Sequence, residues 1–369
     1  MTSGVEISPA TEPADSPAPA ARTPIGEKAM GFLAFVDHTG IAPGGLRSQG
    51  LDDGIDLFQR AEGMGLETGY LRHRHLQAYL SAPLPFLAAV GQRTSTIRLG
   101  TALIPLRFEN AGRLAEDIAT TDLLTGGRLH IGMGSGYAAQ DAVNVRAYGE
   151  VGDIREQVNR TLADVISFLD GEVVAIADEF FETEDAGTEL RVRPQAPTVR
   201  ARLAYGAGSV TSAEMAGRLG IGLQVSTLAP ADGTGRSFEE LQLEVIDAYR
   251  AASRAAGHGD GHVSASRQVL PANTPDDLTD FAYLIERDRT RQEAMQREGG
   301  APLGGRRAMF GRVVADAPEV VAEFLAEDVA LQAADEVILT LPFGHPYDVV
   351  RRITTTFGKQ VVPLLRAVR

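Results

Sequence analysis

The sequence predicts an α/β fold, a closed (β/α)8 or TIM barrel, and three observations support this fold class. Short apolar runs alternate with amphipathic stretches from residue 28 almost to the end of the 369-residue chain. Eight such pairs follow one another, and no obvious linker divides them. Strict alternation is typical of parallel sheets, and eight units favour a closed barrel over an open sheet.

The predicted strands are short apolar runs, and the predicted helices carry apolar residues at helical spacing. The strands cover residues 30–37, 68–72, 97–106, 128–133, 201–206, 222–227, 263–271 and 336–341. The helices cover residues 51–64, 84–93, 114–124, 154–169, 212–219, 238–256, 318–331 and 347–365. Gly126 and Gly127 provide a C-terminal stop for the third helix.

Two segments break the alternation and are predicted to be insertions after strands 4 and 7. Residues 173–200 look like an inserted hairpin or loop, and residues 273–307 are charged and contain Gly-Gly turns. Because a barrel of this kind carries its chemistry at the C-terminal ends of its strands, both insertions are expected near the active site.

The chain is predicted to contain a disordered tail, residues 1–27, and a single barrel domain, residues 28–369. The tail is rich in Pro, Ala, Ser and Thr and has almost no large apolar residue, so it cannot bury a core. It lacks the basic start and apolar stretch of a secretory signal, and no run in the chain approaches the ~18 apolar residues of a membrane span. A cytoplasmic location is therefore expected.

The composition excludes several classes of function. The net charge of −14 repels phosphate backbones and argues against nucleic acid as a partner. The absence of cysteine excludes disulfides, thiolate metal sites and cysteine nucleophiles. Lys28 and Lys359 are the only lysines, which argues against Schiff-base catalysis in the core.

The second predicted strand ends in Arg72-His73-Arg74-His75. Imidazoles and guanidiniums at a strand end can bind anions, donate hydrogen bonds to a cofactor or transfer protons. A His-x-His pair can also hold a metal, but a metal site needs three or four convergent ligands, and the remaining histidines lack that spacing. A solvated basic strand end is the other alternative.

Glycines follow the fourth and fifth strands. Residues 134–139 fit the dinucleotide pattern GxGxxA, but no strand follows with the required acid, so this match is weak. Residues 206–212 place Gly and Ser before a helix, which suits a phosphate at the helix N-terminus. Simple helix capping by Ser209, Thr211 or Ser212 explains the same residues, and local sequence leaves both interpretations open.

Other hydrolytic chemistry has little support in the sequence. No GxSxG elbow occurs, which argues against a nucleophilic triad. A glycosidase needs a pair of acids at strand ends. The nearest candidates, Glu67 and Glu109, look like surface acids at helix ends.

Taken together, these residues resemble the bacterial luciferase-like flavin monooxygenase family over residues 28–367. The most specific segment is residues 98–137, RLGTALIPLRFENAGRLAEDIATTDLLTGGRLHIGMGSGY, with its acidic helix and Gly-Gly-Arg turn. The ending DEVILTLPF, followed by a helix into VVPLLR, is also similar to the family.

The resemblance implies a barrel that binds flavin mononucleotide (FMN) at its C-terminal mouth. It implies a non-proline cis peptide at Ala102–Leu103, beside the flavin ring, and a mobile lid at residues 273–307. The cofactor-binding positions carried over from the family are Thr101, Ala102 and Leu103 on strand 3, Ser135, Gly136 and Tyr137 after strand 4, and Gly208, Ser209 and Ser212 after strand 5.

Two departures from the family concern its catalytic and phosphate-binding positions. Arg74 stands where luciferase has its catalytic histidine, and arginine cannot act as a base. His75 is then the candidate for proton transfer or flavin contact, and Arg74 the candidate for binding an anionic substrate or the flavin. Ser135 stands where luciferase has an arginine on the flavin phosphate, so another arginine or backbone amides must meet that charge.

The resemblance implies an oxidoreductase that uses reduced FMN and O2 to oxygenate a small organic substrate. A separate flavin reductase would supply the reduced cofactor, and a homodimer is possible. A deazaflavin-dependent dehydrogenase on the same barrel is the near alternative. A non-catalytic flavin-binding accessory protein and a metal hydrolase complete the set of hypotheses.

Overall fold

The computed structural model describes residues 23–41, 45–136, 141–150, 152–303 and 306–368. All eight predicted strands are present, and they form one closed barrel in which neighbouring strands are parallel. The strands are β1 (Ala29–Ala34), β2 (Thr68–Leu71), β3 (Arg98–Pro105), β4 (Leu129–Gly134), β5 (Leu203–Gly206), β6 (Gly222–Val225), β7 (Val263–Arg267) and β8 (Glu336–Thr340). Pairing of β1 with both β2 and β8 closes the barrel, and the predicted fold class is confirmed.

Helices surround the barrel, and most follow the predicted positions within a few residues. They are α1 (Gln49–Gly63), α2 (Pro83–Gly91), α3 (Ala111–Leu124), α4 (Asp141–Tyr148), α5 (Ile154–Leu169), α6 (Val210–Arg218), α7 (Phe238–Ala255), α8 (Pro275–Asp280), α9 (Ala282–Glu298), α10 (Pro318–Glu327), α11 (Val329–Ala333), α12 (Tyr347–Thr356) and α13 (Val362–Ala367). A turn of π-helix, Phe357–Val361, joins the last two. Side-chain caps begin several of them, as where Asp153 accepts a hydrogen bond from the backbone N–H of Glu156.

Three residues assigned to the predicted disordered tail, 25–27, have defined secondary structure. Ile25–Glu27 form one turn of 3-10 helix, and Ile25 is buried. The Arg366 guanidinium donates to the carbonyls of Gly26 and Lys28, which fastens this turn to the C-terminal helix. The predicted disordered tail otherwise falls on residues 1–22, which lie outside the described residues.

The first predicted insertion lies at the other end of the barrel from the one expected. Its two short strands, Ala175–Ile176 and Glu189–Leu190, form a hairpin that follows α5 rather than β4. Because α5 runs back from the ends of the strands to their starts, the hairpin lies where the strands begin. The segment that directly follows β4 instead contains α4, a helix that the sequence analysis did not predict.

The second predicted insertion follows β7 and lies at the mouth, where the strands end. It contains α8 and α9, and the short strands Ala301–Leu303 and Arg306–Phe310 come after them. The second of these pairs antiparallel with Leu228–Pro230, which follows β6. A small core of Ala294, Ala301, Ala308 and Phe310 holds this segment together.

The main core lies between the barrel and its helices and contains more than sixty buried apolar side chains from nearly every element. Burying this much apolar surface is the dominant stabilising contribution to such a fold. No helix among the described residues is long and apolar enough to cross a membrane.

Candidate active site

Three segments predicted to bind a cofactor meet around the side chain of Leu103. A Cβ atom added at Gly206, the last residue of β5, would lie 2.4 Å from the Leu103 Cδ2 atom, and one added at Gly134 would lie 2.8 Å from it. Any larger residue at either glycine would collide with Leu103. The glycines therefore allow the ends of β3, β4 and β5 to approach one another closely at the mouth.

The Ala102–Leu103 peptide bond is cis, as predicted. Ala102 and Leu103 are partly exposed at the mouth, whereas Thr101 is fully buried. The Thr101 hydroxyl donates to the Gly132 carbonyl at 2.9 Å and accepts from the Gly132 N–H at 3.1 Å. Thr101 thus joins β3 to β4 through its side chain, and its carbonyl accepts from the Gln224 amide at 3.1 Å.

The turn after β5 places two hydroxyls at the start of α6. Ser209 is the N-cap of α6 and accepts from the backbone N–H of Ser212, while the hydroxyl oxygens of the two serines are 2.8 Å apart. Gly208 and Ser209 are exposed beside them. Capping by Ser209 is therefore observed, and the same exposed cap leaves N–H and hydroxyl donors available to an anion.

The segment after β4 is described only in part. Ser135 is exposed, and Gly136 has a φ of +70°, a conformation that favours glycine. A Cβ at Gly136 would lie 2.6 Å from Pro105 and 3.7 Å from Nε of Arg107. Tyr137, the third predicted position here, lies outside the described residues.

Arg107 is a candidate that the sequence analysis did not select. It is 3% exposed, and its guanidinium lies 4.7 Å from the centre of the Phe108 ring. It follows β3 at the mouth, beside the backbone of Gly136. The half of the mouth that was predicted to bind the cofactor therefore contains an arginine, besides the predicted position Ser135.

The end of β2 carries two histidines in an aromatic environment. The His73 and His75 rings are 5.3 Å apart edge to face, and His75 lies 5.4 Å from Phe108 and 4.6 Å from Tyr148. The Tyr148 hydroxyl is 3.0 Å from Nδ1 of His75. Residues from β2, from the turn after β3 and from α4 thus meet around the candidate catalytic imidazole.

Burial determines the charge of both imidazoles. Burial, together with the charges of His75 and Arg72, lowers the pKa of His73 to about 3, so His73 is neutral at ordinary pH. Burial also lowers the pKa of His75. Among the described residues, both nitrogens of His73 and Nε2 of His75 are buried without a hydrogen-bond partner. Buried nitrogens of this kind can serve a ligand.

The arginines at the end of β2 differ from most others in the chain. Arg72 and Arg74 form no ion pair with an acid in the part of the chain that the structure describes. Burial, and to a lesser extent the charge of Arg74, lowers the pKa of Arg72 to about 10. The Arg72 guanidinium lies 5.7 Å from the centre of the Phe35 ring.

Acidic side chains were considered as metal ligands and as surface residues. Within the described ranges no group of three or more His, Asp or Glu side chains is arranged to hold a metal ion. Glu109, which looked like a surface acid, is partly buried, and burial followed by the charge of Asp117 raises its pKa. The surface interpretation of Glu109 was therefore wrong.

The sequence analysis missed Tyr148 and Phe108. Tyr148 ends α4, whose apolar residues have little helical periodicity, so neither the helix nor its return toward β2 was evident. Phe108 lies in a 3-10 turn directly after β3. An aromatic residue just beyond a predicted barrel strand was the one available signal for Phe108.

Fold and site together define a (β/α)8 barrel with an imidazole and a glycine-lined cradle at its mouth. The sequence model of the luciferase-like monooxygenase family matches residues 30–330. The chain belongs to this family of enzymes, and the resemblance inferred from the sequence is confirmed.

Relatives in this superfamily use either of two cofactors. The chain is 27% identical to an F420-dependent glucose-6-phosphate dehydrogenase of Kribbella flavida over 339 residues, 85% of this chain and 94% of the relative. It is 26% identical to 4-hydroxyprotoasukamycin monooxygenase of Streptomyces nodosus subsp. asukaensis over 64% of this chain and 66% of the relative.

A solved structure confirms the fold at lower sequence identity. It is the oxygenating constituent of 3,6-diketocamphane monooxygenase of Pseudomonas putida, in complex with FMN. The TM-score is 0.64 at 17% identity, covering 91% of this chain and 98% of the other.

Proposed function

We propose that this enzyme is an FMN-dependent monooxygenase that oxygenates a small organic substrate. The observation that carries the proposal is the convergence of β3, β4 and β5 on Leu103, beside an exposed serine-capped helix N-terminus. These are the segments that the family resemblance assigns to the cofactor. When bound, reduced FMN would be the group that reacts with O2. The protein would bind and orient FMN and the substrate and would protect the site from water.

The chain offers separate partners for the two parts of FMN. Ser209, Ser212 and the first N–H groups of α6 suit the phosphate, because a helix N-terminus attracts an anion. Ala102, Leu103 and Gly136 leave an open surface at the mouth for the flat ring. Arg107 supplies positive charge in the same half of the mouth.

His75 would hold or move a proton at the reacting centre. Its lowered pKa keeps it neutral near pH 7, so it can accept a proton at one ring nitrogen. Tyr148 fixes the ring through Nδ1 and leaves the buried Nε2 for the ligand. Arg74 cannot be the base, and binding an anionic group is the role proposed for it.

A separate flavin reductase would supply reduced FMN. The described residues form one barrel with its insertions and contain no second nucleotide-binding domain. The FMN-bound structural relative is itself described as an oxygenating constituent. We propose that this chain is likewise the oxygenating protein, that a second protein reduces FMN, and that both act in the cytoplasm.

A homodimer is also proposed, through the outer surface of α3. Leu123 and Leu124 at the end of this helix are 56% and 50% exposed, although both are large and apolar. Light scattering coupled to gel filtration tests this, and a monomer at micromolar concentration would contradict it.

A deazaflavin-dependent dehydrogenase is the second candidate, favoured by the F420-dependent relative that aligns with 85% of this chain. Such an enzyme would transfer hydride and need no oxygen. The same serine-capped turn would then receive the phosphate of the deazaflavin cofactor.

Fluorescence titration decides between these candidates. Reduced and oxidised FMN, riboflavin and F420 are titrated separately under anaerobic conditions. We expect FMN to bind more tightly than both riboflavin and F420. Replacing Ser209 and Ser212 together by Ala should weaken FMN binding about tenfold and leave riboflavin binding unchanged.

Ser237→Ala provides the matched control, because Ser237 caps α7 in the same way after the next strand. Its loss costs a helix cap but no predicted phosphate contact. Preferential binding of F420 would favour the dehydrogenase. Binding of oxidised FMN without oxygen-dependent turnover in the presence of a reductase would favour the non-catalytic accessory protein.

A further inference from the structure

The mouth of the barrel has a second half that the cofactor segments do not occupy. The cofactor segments follow β3, β4 and β5, whereas residues after β7, β8, β1 and β2 line the remaining part of the ring. Phe35 follows β1, Arg72 follows β2, Phe343 follows β8, and Arg287 projects from α9. These elements become neighbours only because the barrel closes between β8 and β1.

Three aromatic rings form a continuous apolar surface in this half. Phe35 and Phe343 are 5.4 Å apart between ring centres, and Tyr79 lies 6.0 Å from Phe35 and 6.3 Å from Phe343. Phe343 remains 45% exposed. Aromatic rings grouped at the C-terminal face of a barrel are typical of ligand-binding surfaces.

An arginine flanks this aromatic surface on each side. The Arg72 guanidinium is 5.7 Å from the Phe35 ring centre, and the Arg287 guanidinium is 5.7 Å from the Phe343 ring centre. Nε of Arg287 is enclosed and has no hydrogen-bond partner among the described residues. Neither arginine forms an ion pair with a described acid.

Three acids on the segments that follow β1 and β7 have other partners. Asp37 accepts hydrogen bonds from the backbone N–H and hydroxyl of Thr39 at 2.9 and 2.7 Å. Asp280 forms an ion pair with Arg352, and the buried Asp288 accepts from Gln292 at 3.3 Å. None of these three acids forms an ion pair with Arg72 or Arg287 among the described residues, so both guanidiniums keep their charge for a ligand.

We propose that this half of the mouth binds the substrate, and that the substrate is an organic anion. Its carboxylate or sulfonate group would lie between Arg72 and Arg287, and its apolar or aromatic body against Phe35 and Phe343. Guanidinium groups bind such oxyanions through paired, charge-assisted hydrogen bonds. This inference rests on the proposed function, which assigns the other half of the mouth to FMN.

Arg287 also links substrate binding to the second insertion. It lies on α9, and its contact with Phe343 joins that insertion to the residues that follow β8. An anion held by both arginines would add a contact between α9 and the barrel. Substrate binding would then hold α9 over the mouth and help exclude water.

Calorimetric titration with matched probes tests the proposal. The FMN-loaded protein is titrated with benzoate against benzamide, hexanoate against hexanamide, and hexanesulfonate against hexanol. We expect at least one anion to bind about tenfold or more tightly than its neutral counterpart, because charged hydrogen bonds contribute that much. The preference should weaken at high ionic strength.

Variants on one helix identify the responsible charge. Arg287→Gln should abolish the preference for the anion, and Arg72→Gln should reduce it. Arg289→Gln is the matched control: Arg289 also lies on α9 but is exposed and paired with Glu286 at 2.6 Å and with Glu293. It should retain the preference in full.

Three outcomes overturn the proposal: no anion preferred over its counterpart, Arg289→Gln and Arg287→Gln reducing the preference equally, or Arg287→Gln weakening FMN binding itself. The last would assign these arginines to the cofactor. The titration is repeated on protein without FMN, so that probe binding is measured whether or not FMN binds. Failure to bind FMN would contradict the proposed function alone. Equal binding of the anion and its neutral counterpart would contradict this inference alone.

Discussion

Several charged groups at the two ends of the barrel have different kinds of partner. Where the strands begin, acids and bases are paired within the chain: Arg202 binds Asp122 at 2.6 Å, and Arg250 binds Asp335 at 3.2 Å. Where the strands end, Arg72 and Arg287 have aromatic neighbours and no ion pair with a described acid.

The difference extends to groups inside the barrel. Near the strand starts a polar cavity of about 210 Å³ is lined by residues that include Tyr70 and Ser264. The buried carboxylate of Glu336 accepts from the Tyr70 hydroxyl at 2.8 Å and the Ser264 hydroxyl at 2.6 Å, and Arg98 lies 3.6 Å away. At the mouth, His73 is equally enclosed without such partners. The groups compared near the strand starts thus stabilise the fold, whereas His73, Arg72 and Arg287 at the mouth are available to ligands.

The largest expected effect comes from breaking a pair where the strands begin. Asp122 is 1% exposed and forms two hydrogen bonds with Arg202, at 2.6 and 3.1 Å. Asp122→Ala leaves a largely buried guanidinium without its counter-charge and should lower the free energy of unfolding by about 3–5 kcal/mol. Urea denaturation measures this.

Asp117→Asn is the control on the same helix. Asp117 pairs with Arg113 at 3.1 Å, but both side chains are at least half exposed. Its loss should cost less than about 1 kcal/mol. Equal costs for the two variants would remove the proposed stabilising role of the strand starts.

The second effect concerns His73 and pH. Its pKa is about 3 in the folded protein and about 6.5 in the unfolded chain, so between these values only the unfolded chain binds the proton. Stability therefore falls as the pH decreases through this window, by about 1.4 kcal/mol per pH unit. His73→Leu should remove the contribution of this one histidine to the pH dependence of the unfolding free energy between pH 5 and 6.5.

Replacing the exposed His258 by Gln, at the opposite end of the barrel, controls for the loss of a histidine. Unfolding free energies at several pH values give the slopes. If the slope of unfolding free energy against pH were unchanged in His73→Leu, the His73 imidazole would already have a hydrogen-bond partner in the folded protein. The buried polar groups at the two ends of the barrel would then differ less than proposed.

Local pattern was sufficient to predict much of the fold. Helix α5 was predicted residue for residue, because its apolar spacing is regular. The predicted cofactor segments came from the family resemblance, which rests on motifs in and around β3, β4 and β5. Their convergence on Leu103 follows directly from the parallel barrel.

What the sequence could not supply depends on distant contacts. Phe35 and Phe343 lie about three hundred residues apart in sequence and meet only because β1 pairs with β8. The hairpin at residues 173–200 has no local signal for the end of the barrel it occupies. The burial of Glu109 likewise depends on how α3 packs, which its neighbours in sequence do not reveal.

The third expected effect concerns the influence of Tyr148 on the pKa of His75 at the mouth. Burial keeps His75 neutral, and a phenol donating to Nδ1 stabilises the neutral form further. Tyr148→Phe should therefore raise the pKa of His75 by about half to one unit, the value of one hydrogen bond. NMR titration of the imidazole resonances measures the shift.

Tyr283→Phe removes an exposed hydroxyl from α9 and should leave the His75 titration unchanged. If Tyr148→Phe lowered the pKa of His75 instead, the imidazole would be the donor in this hydrogen bond. Nδ1 would then carry the proton and Nε2 would be a basic nitrogen facing the ligand, whereas a phenol that donates to Nδ1 leaves the proton on Nε2, which then donates to the ligand.

The smallest expected effect is the most direct comparison of the two ends. Arg72→Met keeps an unbranched apolar stem but removes a guanidinium whose pKa burial already lowers to about 10. Because no described acid is left unpaired, the free energy of unfolding should change by less than about 1 kcal/mol. Arg202→Met, which strands the buried Asp122, should cost about 3–5 kcal/mol. Similar losses of unfolding free energy in both variants would show that Arg72 has a structural role. Arg72 would then not count as a cation available to a ligand at the mouth.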